Sequence, residues 1–166
     1  MSGIADSLEE QLNIVFIGFN PSIRSGELGH NYAHPGNRFW KILHGAGLTA
    51  RKYEPWEDRD LLKTGIGFTN IVSRPTRAAT DITKEEYAEG RIILKGKLER
   101  YRPKIACYVG KGVYQQFTKQ KQIAWGIQES SVVDGVSDFV APSSSGLVRM
   151  KIDEIITIYR DLHLYL

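Results

Sequence analysis

The sequence predicts an α/β fold, a three-layer α/β/α sandwich around a central, mainly parallel sheet. Three observations predict it. The main apolar runs are short and do not alternate with polar residues, as strands covered on both faces require. Segments with helical periodicity separate them, as crossovers between parallel strands demand. Each run also ends in glycines, amides or hydroxyls, at the place where an open parallel sheet binds its ligands.

The first strand is NIVFIG, residues 13–18. GFNPS and then IRSGELGHNYAHPGNRFW follow it, although a strand-to-helix connection ordinarily needs only a few residues. A connection this long is enough to build a site. A helix is expected over residues 37–46, with Asn37 as its cap and Phe39, Trp40 and Leu43 facing inward. GIGFTNIV (65–72) is the second strand, and a helix across 84–101 places Tyr87, Leu94, Leu98 and Tyr101 on one face. KIACYVG (104–110) is the third strand, with a helix N-terminus expected at Lys111. AWGIQE and SSVVDG (124–135) supply a short strand and turn, and DFVAPS (138–143) is the last strand. The final helix is the most strongly patterned. Ile152, Ile155, Ile156, Tyr159 and Leu162 repeat at helical spacing, and Asp153 and Glu154 favour its positive N-terminal end.

With 166 residues, 42% apolar and 25% charged, the chain can bury one substantial core, and a single domain over 1–166 is expected. No apolar stretch reaches the 18 residues or so of a membrane span, and the polar, acidic MSGIADSLEE does not read as a secretory signal. The lone cysteine, Cys107, excludes an internal disulfide and any four-cysteine metal site, and reads as a core residue. A net charge of +3 permits a polyanionic partner without requiring one. GKGVY lacks the spacing of a phosphate-binding loop, and no G-x-G-x-x-G follows a strand, which removes the main warrant for a nucleotide hydrolase or a nicotinamide enzyme.

Four blocks carry a more specific signal: GFNPS (18–22), NYAHPGNRFWKIL (31–43), GFTNIVSRPT (67–76) and PSSSGLVR (142–149). In this order they resemble the mismatch-specific uracil and thymine DNA glycosylases, a branch of the uracil-DNA glycosylase superfamily, and the likeness spans residues 13–163. The resemblance implies a compact α/β/α domain that hydrolyses the N-glycosidic bond of uracil mispaired with guanine. Some members of that family also remove thymine or other damaged pyrimidines, and the resemblance leaves thymine, ethenocytosine and deaminated bases open as further substrates. It implies no metal and no cofactor, and a partner that is double-stranded DNA containing a mispaired or damaged base. A monomer is expected, away from membranes, in the cytoplasm on nucleoid DNA if the source is bacterial.

Breaking the bond between base and deoxyribose develops positive charge on the sugar and negative charge on the departing pyrimidine, and a water must attack the anomeric carbon. A protein helps by holding that water and by offering donors to the growing negative charge. Asn20, at the end of a rigid strand, has an amide oxygen to orient the water and an amide nitrogen to donate elsewhere. It resembles the family's water-positioning asparagine. Having no useful proton affinity, it positions the water and is not a strong base. Gly18 and Phe19, in the same block, fall by resemblance among the substrate-binding residues. Tyr32 matches the place where the family stacks Phe or Tyr on the flipped pyrimidine. Ser25 matches a serine near the C5 face of the base, where a hydroxyl crowds a thymine methyl and favours uracil. Asn70 and Thr76 look instead like the thymine-processing branch, Asn70 contacting the water or a phosphate. Arg74 fits a phosphate contact and a structural role equally well. His34 is expected to bond its own loop, and His30 to reach phosphate.

In PSSSGLVR, Ser143 stands where uracil-selective relatives often carry asparagine, which weakens pairing to the pyrimidine edge. Ser144 and Ser145 have the hydroxyls and N–H groups to hold phosphates. Leu147 has no strand or helix periodicity to bury it, and an apolar side chain pushed into the base stack would fill the gap left by a flipped nucleotide. Gly146 and Val148 flank it and offer backbone groups to the widowed guanine, and Arg149 meets the DNA backbone. Lys111, between Gly110 and Gly112 at a helix start, is a candidate phosphate contact. No lysine matches a family nucleophile, so a monofunctional enzyme is expected. Two other classes remain open: a noncatalytic damaged-DNA-binding module, which needs no Asn20, and a hydrolase of free nucleosides, which gains nothing from Leu147 or a basic rim.

Overall fold

A computed structural model describes residues 3–166. Five strands, β1 (Ile14–Gly18), β2 (Ile66–Asn70), β3 (Ile105–Val109), β4 (Gly126–Ile127) and β5 (Ser137–Ala141), form one sheet in the order β2-β1-β3-β5-β4. β1 pairs in parallel with β2 and β3, and β3 pairs in parallel with β5, leaving only the two-residue β4 antiparallel at one edge. Successive strand side chains point to opposite faces. Ile14 and Phe16 therefore enter one core while Val15 and Ile17 enter the other. Both faces are covered, which explains why the strand sequences read as continuous apolar runs.

The helices supply the outer layers. α2 (Phe39–Gly45) and α5 (Ile152–Arg160) pack together on the first face, joined by Leu61 from a 3-10 segment, Pro55–Thr64. α3 (Lys84–Tyr101) and α4 (Lys111–Thr118) cover the second. The mixed α/β sandwich expected from the sequence is the fold. α3 begins at a reciprocal cap: the Glu86 N–H donates to Thr83 Oγ1 at 3.1 Å and the Thr83 N–H donates to Glu86 Oε1 at 3.0 Å. In its second turn, Gly90 lies so close to the Ile71 carbonyl that a β-carbon could not fit, which lets α3 settle against the chain leaving β2. Cys107 is fully buried in β3, and burial pushes its thiol up, as suits a core residue. No described helix is long and apolar enough to cross a membrane.

Several local expectations are corrected. Asn37 does not cap the helix that follows it. Arg38 holds the cap position, and Asn37 accepts the Phe39 N–H through its side chain at 3.0 Å. The final helix stops at Arg160, so Leu162 is buried from a 3-10 turn, Asp161–Tyr165. α1 (Ile23–Leu28) stands within the long connection, where no helix was expected. It is only six residues long, too short for a periodic pattern, and is bracketed by the Ser22 side chain accepting from Ser25 N–H and by Gly29 at φ 75°.

Tyr159 ties this scaffold to the loop beyond β5, donating its hydroxyl to the Pro142 carbonyl at 2.7 Å in a fully buried contact. Exchange of Tyr159 for phenylalanine keeps the ring but strands that carbonyl. Such a loss costs about 1–3 kcal/mol, and the urea midpoint of the variant is expected to fall accordingly with an unchanged slope.

Candidate active site

The chain leaves β1 toward β2 on one side and later returns to β3 on the other, so the sheet opens beyond the C-terminal end of β1. A cavity of about 890 Å³ occupies that opening. Its walls come from the ends of β1, β2, β3 and β5, and it includes Asn20, Tyr32, Asn70, Ser143 and Leu147. Among the described residues, no aspartate or glutamate lines it.

Asn20 is half-buried, and its amide orientation is decided by its partners. Nδ2 donates to the Arg74 carbonyl at 2.7 Å and to Thr76 Oγ1 at 2.8 Å. A carbonyl only accepts, and the Thr76 hydroxyl spends its proton on the Ala78 carbonyl at 2.7 Å, so both partners require a donor from Asn20. Oδ1 is thereby fixed as the acceptor left to the cavity. Arg74 is held elsewhere. Its guanidinium forms a forked pair with Glu86 at 2.7 and 2.8 Å and a further bond to the Asp81 carbonyl at 3.1 Å. Of the two roles open to Arg74, the structural one is observed, and the Arg74 guanidinium holds the Glu86 carboxyl down to about 2.

Tyr32 is half-buried and lies flat on Phe39, with ring centroids 3.9 Å apart and planes within 12°. Phe39 stands edge-on to Phe16 of β1 at 5.2 Å and to Phe68 of β2 at 5.8 Å, and Tyr32 itself meets Phe68 edge-on at 6.3 Å, so the Tyr32 ring is tied to two strands of the sheet. Burial pushes the Tyr32 hydroxyl well above its ordinary range, so it stays protonated. Gly18 is paired with Asn70 across β1 and β2. A β-carbon at Gly18 would come within 2.7 Å of Asn70 Oδ1 and 3.4 Å of the Tyr32 hydroxyl, so glycine lets these groups share the cavity floor. Phe19 lines the cavity and is half-buried, while its ring packs edge-on to Tyr87 and against Gly112 on the opposite face.

The long connection is shaped by its own polar groups. Ser25 is only 3% exposed, and its hydroxyl accepts the Ala33 N–H at 2.9 Å, so it braces the loop as well as lining the cavity. His34 Nδ1 accepts the Gly36 N–H at 2.9 Å, a bond within its own loop as expected. His30 is not directed to phosphate. Its Nδ1 lies 3.1 Å from Asp58 Oδ1, and the second Asp58 oxygen accepts from the Asn31 backbone and side chain at 2.9 and 3.0 Å. Asp58 itself is 2% exposed.

Beyond β5, Leu147 is 94% exposed, the most exposed large apolar side chain described. Ser144 is corrected from its expected role: at 1% exposure its hydroxyl is out of reach of a phosphate at the surface, and its carbonyl accepts the Arg38 N–H at 2.9 Å. Val148 is corrected too. Its carbonyl accepts from Arg38 Nη2 at 3.3 Å and its N–H donates to the Ser145 carbonyl at 3.2 Å, so the backbone groups offered to a guanine are occupied. Ser143 Oγ accepts the Ser145 N–H at 3.2 Å, while Gly146 and Arg149 are exposed. Lys111 is exposed at the first turn of α4, its ammonium 4.3 Å above the Trp125 ring. Among the described residues no group of three or more His, Cys, Asp or Glu could hold a metal ion.

A family model described as the Uracil DNA glycosylase superfamily matches residues 5–163. The chain belongs to this superfamily. Its fold is similar to the solution NMR structure of a proposed uracil DNA glycosylase from Methanosarcina acetivorans, with a TM-score of 0.57 and 21% identity over 97% of each chain. Within the superfamily frame, three residues of the site were not anticipated from the sequence. Arg38 lay inside a recognised block without a role. Arg77, exposed at the cavity rim, directly follows Thr76 and was visible only as a basic residue near a strand end. Asp58 had no local signal at all, since its partners His30 and Asn31 stand 28 and 27 positions earlier.

Asp58 should therefore control the order of the loop that carries Tyr32. In Asp58→Ala, hydrogen exchange at the Asn31 amide is expected to accelerate at least about ten-fold, the equivalent of roughly 1.4 kcal/mol of lost protection. The amides of β1 and β3 should keep theirs.

Proposed function

We propose that this protein is a monofunctional DNA glycosylase that hydrolyses the N-glycosidic bond of uracil mispaired with guanine. It would act as a single domain and a monomer on double-stranded DNA. Superfamily membership supports glycosylase chemistry in general. The observation that carries the finer reading is that Asn20 Oδ1 and the exposed Leu147 bound one cavity. One is suited to a water and the other to a base stack.

In this reading the mispaired nucleotide swings out of the duplex and its pyrimidine enters the cavity, stacking on Tyr32, while Leu147 takes its place between the neighbouring base pairs. Asn20 Oδ1 accepts a hydrogen bond from the water that attacks the anomeric carbon. No carboxylate lines the cavity, and the acceptor nitrogen of His34, which does, is occupied by the Gly36 N–H, so no strong base there takes the water's proton before bond cleavage is well advanced. The rate then depends on how well the departing pyrimidine carries its charge, which favours uracil. Ser25 supports the same choice, since its buried hydroxyl is fixed by the loop and cannot move aside for a methyl group. Thr76, which resembles the thymine-processing branch, is accounted for by its bond to Asn20 without any part in base choice. Ser145, Arg149 and Lys111 would meet phosphates, giving binding that weakens as salt rises.

The reading is tested with duplexes carrying one modified base opposite guanine or adenine, scored for abasic sites after alkali. Uracil opposite guanine should be released without strand breakage before alkali. Asn20→Ala should bind the duplex within a few-fold of the unaltered protein yet release base about 10²-fold more slowly. Unchanged single-turnover release would remove Asn20 from the chemistry, and a protein that binds without releasing any base would be a damaged-DNA-binding module.

Leu147→Ala isolates the wedge. Loss of a buried leucine contact of about 1.5–3 kcal/mol in the extrahelical complex should slow release from duplex by about ten-fold or more. Release from a single strand should change little, because no gap needs filling. Melting temperature should also hold, given how little of Leu147 is buried in the free protein.

A further inference from the structure

Leu147 stands in a segment with neither helix nor strand to stiffen it. Residues 142–149 hold their shape through short contacts of their own, Ser145 N–H to Ser143 Oγ and Leu147 N–H to Ser145 Oγ, each at 3.2 Å. An apolar side chain can drive open a base stack only if its backbone does not give way, since ordering a loose loop at that moment consumes the gain from inserting it. Something outside the loop must hold it.

Arg38 does so. From the start of α2, its backbone N–H donates to the Ser144 carbonyl at 2.9 Å, and Nη2 donates to the carbonyls of Ser145 at 3.1 Å and Val148 at 3.3 Å. These three carbonyls bracket Gly146 and Leu147. The guanidinium has no carboxylate within salt-bridge distance among the described residues, and its Nε is buried without a partner, so the cation is given over to carbonyl dipoles beneath the loop. Both side-chain bonds leave the one Nη2, whose two protons serve the two carbonyls, and the planar guanidinium fixes the direction of each. The backbones meet as well: a β-carbon on Gly146 would come 2.5 Å from the Gly36 carbonyl oxygen. Gly36 and Arg38 follow Tyr32 by four and six positions in the same connection.

We infer that Arg38 is a positioning residue that clamps the Leu147 loop to the Tyr32 loop, so that wedge and base-stacking surface move as one body. The role rests on the proposed glycosylase reading, with Leu147 as the wedge. Arg38 itself is not among the residues that line the cavity. Arg38→Met keeps much of the side chain's length and removes every side-chain donor. It should lower single-turnover uracil release from duplex about ten-fold relative to release from a single strand, a barrier difference of about 1.4 kcal/mol. Arg38→Lys, which keeps the charge and one donor nitrogen on a shorter, flexible stem, should recover part of that ratio. Gly146→Ala should lower it as well, by pushing the two backbones apart without altering the guanidinium.

A purely structural role would lower release from both substrates in proportion and leave the ratio unchanged, and that result overturns the inference. A second measurement does not depend on catalysis. In Arg38→Met the amides of Ser145, Leu147 and Val148 should exchange with solvent at least about ten-fold faster than in the unaltered protein, while those of β1 and β3 hold. Unchanged exchange at these three amides also overturns the clamp. If the unaltered protein releases no base from any duplex, the glycosylase reading fails, and exchange alone then decides whether Arg38 anchors the loop.

Discussion

The site is organised around one side-chain amide. Asn20 sits where β1 ends, and its Nδ2 is caught between the Arg74 carbonyl and the Thr76 hydroxyl. Neither partner would stand there without further support. Arg74 is moored by Glu86, which belongs to the cap of α3, and Thr76 is fixed by its bond to Ala78. The N-terminal end of α3 and the chain leaving β2 therefore act together to aim one oxygen at a cavity. Because the cavity wall has no carboxylate, that aim is what the protein has to offer a water.

The long connection after β1 is the complementary device. A segment of this length would ordinarily be loose, and here it is tied down at intervals by Ser22, Ser25 and the buried Asp58. Asp58 reaches it from the 3-10 segment on the far side of α2 in sequence, accepting from two consecutive residues just before Tyr32. Tyr32 is consequently placed on Phe39, and Phe39 on the sheet. A flat aromatic surface at the cavity is thus built from the core outward.

The Leu147 loop follows a different principle. Exposure of a large aliphatic side chain to water brings no stability to the free protein, and Leu147 is almost wholly exposed. The structure nevertheless spends a half-buried arginine on the backbone beneath it. Tyr32 and Leu147 reach the cavity from loops more than 100 positions apart in the chain, and Arg38 is where those loops are joined, through partners 107 and 110 positions away.

The sequence by itself determined the layers. Uninterrupted apolar strands such as IVFIG and IACYV can only be buried on both faces, and the repeat from Ile152 to Tyr159 can only be a helix against them. It also placed Asn20, Tyr32 and Leu147 at strand ends and in loops, where the sheet's opening brings them to one cavity. Only the tertiary structure decided what each polar group does. Asn37 gives way to Arg38 at the helix cap, Ser144 and the Val148 backbone turn inward, the Phe19 ring goes to the opposite face, and His30 goes to Asp58. Apolar periodicity is a local property, fixed by the few residues between one turn or pleat and the next. A hydrogen-bond partner is fixed by whichever donor or acceptor the fold brings within about 3 Å, and for these residues it comes from a distant part of the chain.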